Sequence, residues 1–444
     1  MRFRNRVEAI LKMALPITAG LSSTFIMVFI DLAMVGQLGS EAIAAIGLAG
    51  FSYALILCFI QGLAPAVQGL IAKKKGLGET QDLCLPLNGG VLIAVAIGIP
   101  MSIFCYLINP WYFQQVASDP LVVEHSIAYL TILSFSMVGV GISEAFEGHW
   151  NGIGKTKVFM FNLFIINSLN VLFNYIFIFG NWGAPALGTM GAGLATLLSV
   201  YIGNLSYVLI TAYLHRGQGF LCRWPSTSLI KHIINIAIPE SFREFTLALG
   251  YVIFFWLVGK IGTNELAATN VIVRIYSVLN LFPMALGSVS ATLVSGAIGK
   301  GDYEEATLWG WATAKVGIFV ITALALPLVF APELVLSLFI TDSTLVAEAA
   351  LPLQVVGITS GITSLIFIFA YTLITIGDVN RVLAVSFGTQ WLFFLPLVWF
   401  AGVFLDFGLL EIWVIHTLYA LLATLMVTLL WSNGRWKSIK QVAV

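Results

Sequence analysis

Residues 14–46 read ALPITAGLSSTFIMVFIDLAMVGQLGSEAIAAI. About 20 apolar residues at 1.5 Å rise each cross the hydrocarbon core of a bilayer. Residues 14–35 supply them, with Pro16 near the start and a single carboxylate, Asp31. Asp31 precedes the Gly36 turn by five residues, which places it about 7 Å from the far end of the helix. A carboxylate at that depth costs about 2.5 kcal/mol or more to insert and is a functional-site hypothesis by default.

The rest of the chain has the same character. Of its 444 residues, 59% are hydrophobic and 9% charged, against about 25% charged in a soluble domain, and the mean hydropathy is +0.98. These values define an all-α integral membrane protein whose partner is the lipid bilayer. With 21 Lys and Arg against 21 Asp and Glu, nucleic acid is not implied. Arg2, Arg4 and Arg6 precede the first span, but that span is too long for the core of a cleavable signal. Cys58, Cys84, Cys105 and Cys222 fall singly, without metal-ligand spacing, and read as packing or lipid-facing residues.

Apolar runs between polar turns give twelve expected transmembrane helices: 10–35, 42–72, 87–109, 126–150, 158–180, 188–214, 233–259, 265–298, 311–332, 345–376, 382–404 and 409–431. Lys73–Lys75, Lys155, Lys157, Arg216, Arg223, Lys231, Lys300 and Arg381 share one side with the basic start (Arg2 to Lys12) and end (Arg435, Lys437, Lys440). The opposite loops hold Lys260 beside acids such as Asp119, Glu333, Asp342 and Asp406. The positive-inside rule puts both termini in the cytoplasm. A shift of 223 residues lays Ala14-Leu15-Pro16 on Ala237-Ile238-Pro239, the turn at Gly36–Gly39 on Gly259–Gly262, and Ile153-Gly154 on Ile376-Gly377. The expected organisation is a six-helix lobe over 1–215, a cytoplasmic linker over 216–232 and a second lobe over 233–444. An even helix count per half gives parallel, pseudo-symmetric repeats about an axis along the membrane normal.

Three stretches carry a family resemblance: ALP…DLAMVGQLG in helix 1, NGIGKTK (151–157), and SLNVLFNYIFIFG (168–180) followed by GAPALGTMGAGLAT (183–196). Together they resemble the multidrug and toxic compound extrusion (MATE) family along nearly the whole chain. The resemblance implies two six-helix lobes around a central cavity and efflux coupled to inward flow of Na⁺ or H⁺, without a cofactor. It also implies an ion site at Asp31, Asn170, Asn174 and Thr196. Some members carry acids on helices 7 and 10; here Leu247 stands near the first position and GITSGITSLIFIF (357–369) has no acid. Asp31 itself maps onto Phe254 in the repeat, so the ion chemistry is expected in the first lobe alone.

Read from the residues, Asp31 can exchange a proton or, as an anion, bind Na⁺; burial in low dielectric makes carboxyl groups in general harder to ionise. Asn170 and Asn174, four apart, offer amide oxygens from one helical face, the donors that hard cations prefer. Helix capping by Asp31 and helix–helix bonding by the asparagines remain the structural alternatives. Pro16 is a static kink or a bend that follows the state of Asp31. Glu240, Arg243, Glu244 and Arg274 form a second polar cluster, in which Arg274 is expected to pair with one of the acids. Glu144, Glu147 and His149 approach a helix end, where solvation is the usual fate. Gln61, Gln68, Gln354 and Gln390 either line a cavity or bond helices together. No enzyme, nucleotide or Cys/His metal motif stands in context.

The sequence therefore reads as a monomeric secondary antiporter of the cell (inner) membrane, exporting small amphipathic or cationic organic compounds against H⁺ or Na⁺. The alternatives are a flippase for lipid-linked precursors, which should show several basic cavity residues, and a passive channel, over which duplicated lobes with one titratable site favour alternating access.

Overall fold

Lipid offers no hydrogen bonds to the main chain, so a crossing segment must satisfy its own N–H and C=O groups, as a helix does. The structure, a computed structural model, describes residues 3–79, 81–405 and 407–438; Arg2, Asp406 and Lys440, used above to orient the chain, lie outside them. The helices are α1 (Phe3–Val35), α2 (Ser40–Gln61), α3 (Leu63–Leu77), α4 (Leu85–Val116), α5 (Pro120–Ser134), α6 (Ser136–Ile153), α7 (Thr156–Phe179) and α8 (Gly188–Leu214). They continue as α9 (Thr227–Ile261), α10 (Thr263–Gly299), α11 (Tyr303–Phe330), α12 (Pro332–Ser337), α13 (Ser343–Thr375), α14 (Val379–Phe387), α15 (Leu395–Val398) and α16 (Leu409–Ser432). Two π-helical stretches, Gly388–Phe394 and Trp399–Phe404, flank α15 and make one span with α14. Among the described residues, eleven spans are long and apolar enough to cross a membrane, and the bent pair α5–α6, taken as one span, makes twelve.

Each expected span has its counterpart, with helix ends several residues outside the expected ones at α4, α5, α9 and α11 and three further departures. α1 begins at Phe3, because the polar flank before the apolar run continues the helix outside it. The second and fourth spans are broken: Gly62, between α2 and α3, gives its N–H to Ser241 Oγ at 3.1 Å, and α5 and α6 meet at 47° around Phe135. The short α12 was not expected; Pro332 opens it, a position where the missing N–H costs nothing. Elsewhere the punctuation is chemical. Asp119, Asp302 and Asp342 cap α5, α11 and α13 by accepting main-chain N–H groups at 2.8 Å. Gly154 ends α6 at φ +82°, and its repeat partner Gly377 follows α13 at φ +99°, a region that favours glycine.

By packing, the described residues form two compact units. Ala19–Ser241 form one, the amino unit; the residues up to Thr18 join those from Phe242 onward in the other, the carboxyl unit. The packing boundaries thus fall inside α1 and α9, not in the 216–232 linker. Each lies two residues past a proline, Pro16 or Pro239, and the two are related by the same shift of 223. In the amino unit α3 and α4 pack on α6, α5 on α2, and α8 on α5 and α7, around a core that includes Val67, Phe146, Trp150 and Tyr207. In the carboxyl unit α13 is the central helix, packed on α10, α11 and α16. Because lipid is as apolar as these side chains, close packing and interhelical hydrogen bonds, not exclusion from water, hold the helices together.

Candidate functional site

α1 and α7 come close at Gly20, where a Cβ would lie 2.9 Å from Leu163 Cδ1 and 3.3 Å from Met160 Cα. From there a row of amides on α7 bonds α1. Asn167 Nδ2 donates to Ser23 Oγ at 2.8 Å, and Asn174 Nδ2 donates to Asp31 Oδ1 at 2.5 Å. The same Asn174 amino group donates to Asn170 Oδ1 at 2.8 Å, and Asn170 Nδ2 passes the chain on to Thr196 Oγ1 of α8 at 3.0 Å. Thr196 closes it by donating to Ala192 O at 3.2 Å. The structure therefore brings Asp31, Asn170, Asn174 and Thr196 together, all within the amino unit, as one continuous network across α1, α7 and α8. Asn170 and Asn174 are buried, and Asn174 Oδ1 has no hydrogen-bond partner among the described residues. One carboxylate, one donor group facing it and one unspent amide oxygen are the parts from which a proton or a hard monovalent cation can be held. Ser23, Thr24 and Asn167 belong to the same row; the spacing of Asn167, Asn170 and Asn174 at i, i+3 and i+7 is the sequence signal that reveals it.

The repeat counterpart of this site is an aromatic box around His416, which motif reading passed over. Phe254, in the place of Asp31, lies 6.1 Å from the His416 ring centroid; Trp413 is at 4.9 Å, Phe394 at 5.5 Å and Tyr419, in the place of Thr196, at 5.9 Å. Aromatic rings thus occupy in the carboxyl unit the places of Asp31 and Thr196 in the amino unit.

The second polar cluster does not assemble as expected. Glu244 pairs with its neighbour Arg243. Arg274 is exposed, and among the described residues no carboxylate pairs with it. Glu240 is buried in the amino unit, whereas Arg243, Glu244 and Arg274 belong to the carboxyl unit. A sequence neighbour outcompetes a partner one helix away because it needs no helix placed to reach it. Two of the glutamines bond helices: Gln354 Nε2 donates to Val329 O at 2.9 Å and Gln390 Nε2 to Leu247 O at 3.0 Å. His149, expected to be solvated, is fully buried. Cys84, read as a packing residue, lies with His149 and His215 so that their ligand atoms are within 4.8 Å of one another.

A polytopic membrane protein with a polar network inside its spans is the class that these helices define. The MatE family profile matches residues 16–176 and again 239–400, more than half of the chain, with starts separated by the shift that relates the repeats. The chain belongs to the MatE family. Its relatives include a probable multidrug resistance protein NorM of Neisseria meningitidis serogroup B, 25% identical over 364 residues that cover 80% of this chain and 78% of the relative. A second from Bradyrhizobium diazoefficiens is 27% identical over 423 residues, covering 91% and 88%. The multidrug resistance protein MdtK of Edwardsiella ictaluri is 26% identical over 334 residues, covering 73% and 72%. Among solved structures, the fold matches a MATE crystallised in complex with MaL6 (TM-score 0.88) and an outward-facing multidrug resistance MATE family transporter (TM-score 0.87). Each is 18% identical, over 98% of this chain and 97% of the other.

Proposed function

We propose that this protein is a secondary active antiporter that exports amphipathic, often cationic, organic compounds in exchange for inward-moving H⁺ or Na⁺ bound at Asp31. The observation that carries the proposal is the bond from Asn174 to Asp31, continued through Asn170 to Thr196. The names of the relatives support drug export as the task. An embedded carboxylate accepts a proton, Na⁺ or a cationic substrate, but two cations there repel one another, so ion entry favours substrate release. Coupling follows when each ligand prefers one conformation. Asn174 serves either ion: its amino group bonds the ionised carboxylate, and a turned amide presents Oδ1 to a protonated carboxyl group or to Na⁺. Pro16, lacking the N–H that would hold its turn, is the bending point that follows the occupancy of Asp31. The basic loops put both termini in the cytoplasm of the cell membrane.

The test is efflux from vesicles containing the purified protein, with pH and Na⁺ gradients imposed separately. Wild type should respond to one gradient, and Asp31→Asn to neither while remaining folded and inserted. Wild-type rates in Asp31→Asn would place the ion site elsewhere, and flux without either gradient would favour a channel.

A further inference from the structure

We propose that Cys84, His149 and His215 form a binding site for one thiophilic d¹⁰ metal ion, Zn²⁺ or Cu⁺, away from the Asp31 network. Cys84 immediately precedes α4, His149 lies in the last turns of α6 and His215 immediately follows α8, so three separate helices of the amino unit converge on one point. All three residues are buried, and each offers a ligand atom within 4.8 Å of the other two.

The hydrogen bonding is that of waiting ligands. The His215 Nδ1 atom faces Gln218 Oε1, which holds the proton on Nδ1 and leaves Nε2 with its lone pair. Among the described residues that Nε2 has no hydrogen-bond partner, and neither does Nδ1 or Nε2 of His149. Buried polar atoms without partners are exceptions in folded proteins and call for a cause. Gln218 also accepts the Cys84 N–H through its main-chain oxygen at 3.1 Å, so one residue orients two of the three ligands, as supporting residues do around metal sites. α6 is held here by contact with α3: a Cβ on Gly148, the neighbour of His149, would lie 2.4 Å from Ala64 O.

One thiol and two imidazoles are the donors of Zn²⁺ and Cu⁺, not of the hard ions Mg²⁺ and Ca²⁺. At ordinary bond lengths a tetrahedral site separates its S and N atoms by about 3.5 Å, so the triangle must close by about 1 Å, within reach of side-chain rotation. Zn²⁺ would leave the fourth corner to water; Cu⁺ is content with three ligands and gives a neutral complex once the thiol has lost its proton. Lys155, whose Nζ lies 6.0 Å from the Trp150 ring centroid in the same region, opposes excess positive charge. The bound ion would tie the start of α4 to the ends of α6 and α8.

The test uses the full chain in detergent, stripped with a chelator and then given Zn²⁺ alone or, without oxygen, Cu⁺ alone. The metal retained after desalting is counted. In a third arm Co²⁺ alone reports a thiolate ligand through its ultraviolet charge-transfer band. About one equivalent of one ion should be retained, with the charge-transfer band. Cys84→Ser should remove the band and the ion. Gln218→Ala, acting through His215, should keep the band and weaken binding by about 10–100-fold. A chain keeping Cys84 as its sole cysteine should behave as wild type, which decides the matter even where Cys84→Ser does not fold. Retention of neither ion, or no band in the chain with Cys84 as its sole cysteine, would overturn the proposal and leave an edge-to-face cluster of His149, Trp150 and His215 rings.

Discussion

Asn174 divides one amino group between two acceptors, Asp31 and Asn170. Replacing it with alanine removes one charge-assisted bond without removing the charge, so Asn174→Ala should weaken ion affinity by about 1–3 kcal/mol, read as a shifted ion dependence of efflux, where Asp31→Asn abolishes coupling. An unchanged ion dependence in Asn174→Ala would remove the amide from the site. Outside the spans, Asp378 tests a second carboxylate. Burial pushes its carboxyl group up from the ordinary value and outweighs the opposing pull of Arg381, whose Nε lies 2.7 Å from Oδ1. The fold therefore holds that proton more tightly than the unfolded chain does. Ionising Asp378 costs nothing below its unfolded pKa of about 4, and the cost grows as pH rises through the higher folded value. Asp378→Asn should accordingly gain on wild type in unfolding midpoint as pH is raised from about 4 to 7; parallel profiles would show that the charge is not penalised. Among the thiols, Cys222 is exposed and Cys58, Cys84 and Cys105 are buried. An impermeant maleimide should therefore label Cys222 alone, in inside-out vesicles and not in intact cells, since its linker belongs to the basic side. Labelling in intact cells would invert the topology.

At the scale of the element, glycine decides how closely α6 lies on α3. Cβ atoms on Gly148 and Gly152 would meet Ala64 O at 2.4 Å and Gln68 O at 2.7 Å, the small-xxx-small contact of lipid-embedded helices. Gly148→Ala should destabilise the protein by about 1–3 kcal/mol, whereas Gly50→Ala, with nothing within 4 Å of the new methyl, should not. Equal unfolding midpoints for the two variants would count against close approach as the organising contact. The helices themselves were legible because apolar length, caps and basic loops are local features. Register along the second repeat was not. Thr156, Phe159 and Asn162 of α7 have buried counterparts 223 residues on, at Val379, Val382 and Val385. From the end of the π-helical stretch Gly388–Phe394 onward, the buried partners of Asn170 and Asn174 are Phe394 and Val398, 224 residues on, while Phe393 and Leu397 are only partly buried. A π turn takes in one extra residue, which turns the rest of that span by about 100°. No constant shift along the chain anticipates that. The Cys84–His149–His215 convergence escaped for a related reason: its members lie more than 60 residues apart, and spacing motifs see only neighbours.

For the whole molecule, duplication was legible and the exchange between the units was not. Repeats announce themselves by a constant offset, but which helix segment packs with which half is a matter of contact. Residues at the start of α1 pack with the carboxyl unit: Arg6 stacks over Trp309 at 4.9 Å and Lys315 over Phe3 at 6.0 Å. The start of α9 packs with the amino unit: Ser241 accepts the Gly62 N–H, and Ile233 fills the space beside Gly89. Chains split within 216–232 and produced together should therefore co-purify, because each fragment carries a segment that completes the other unit; fragments that purify singly and folded would contradict the exchange. That exchange gives the protein the connectivity of a covalently joined domain-swapped dimer. Residues 3–18 of the first repeat pack in the carboxyl unit, so a lone copy of that repeat would fill the same place by lending them to a second copy, as swapped homodimers do. Fusion makes that loan intramolecular. The linker then sets an effective concentration, so residues added between Arg223, whose main-chain oxygen still accepts from Asn88, and Thr227, where α9 begins, should change assembly only slowly.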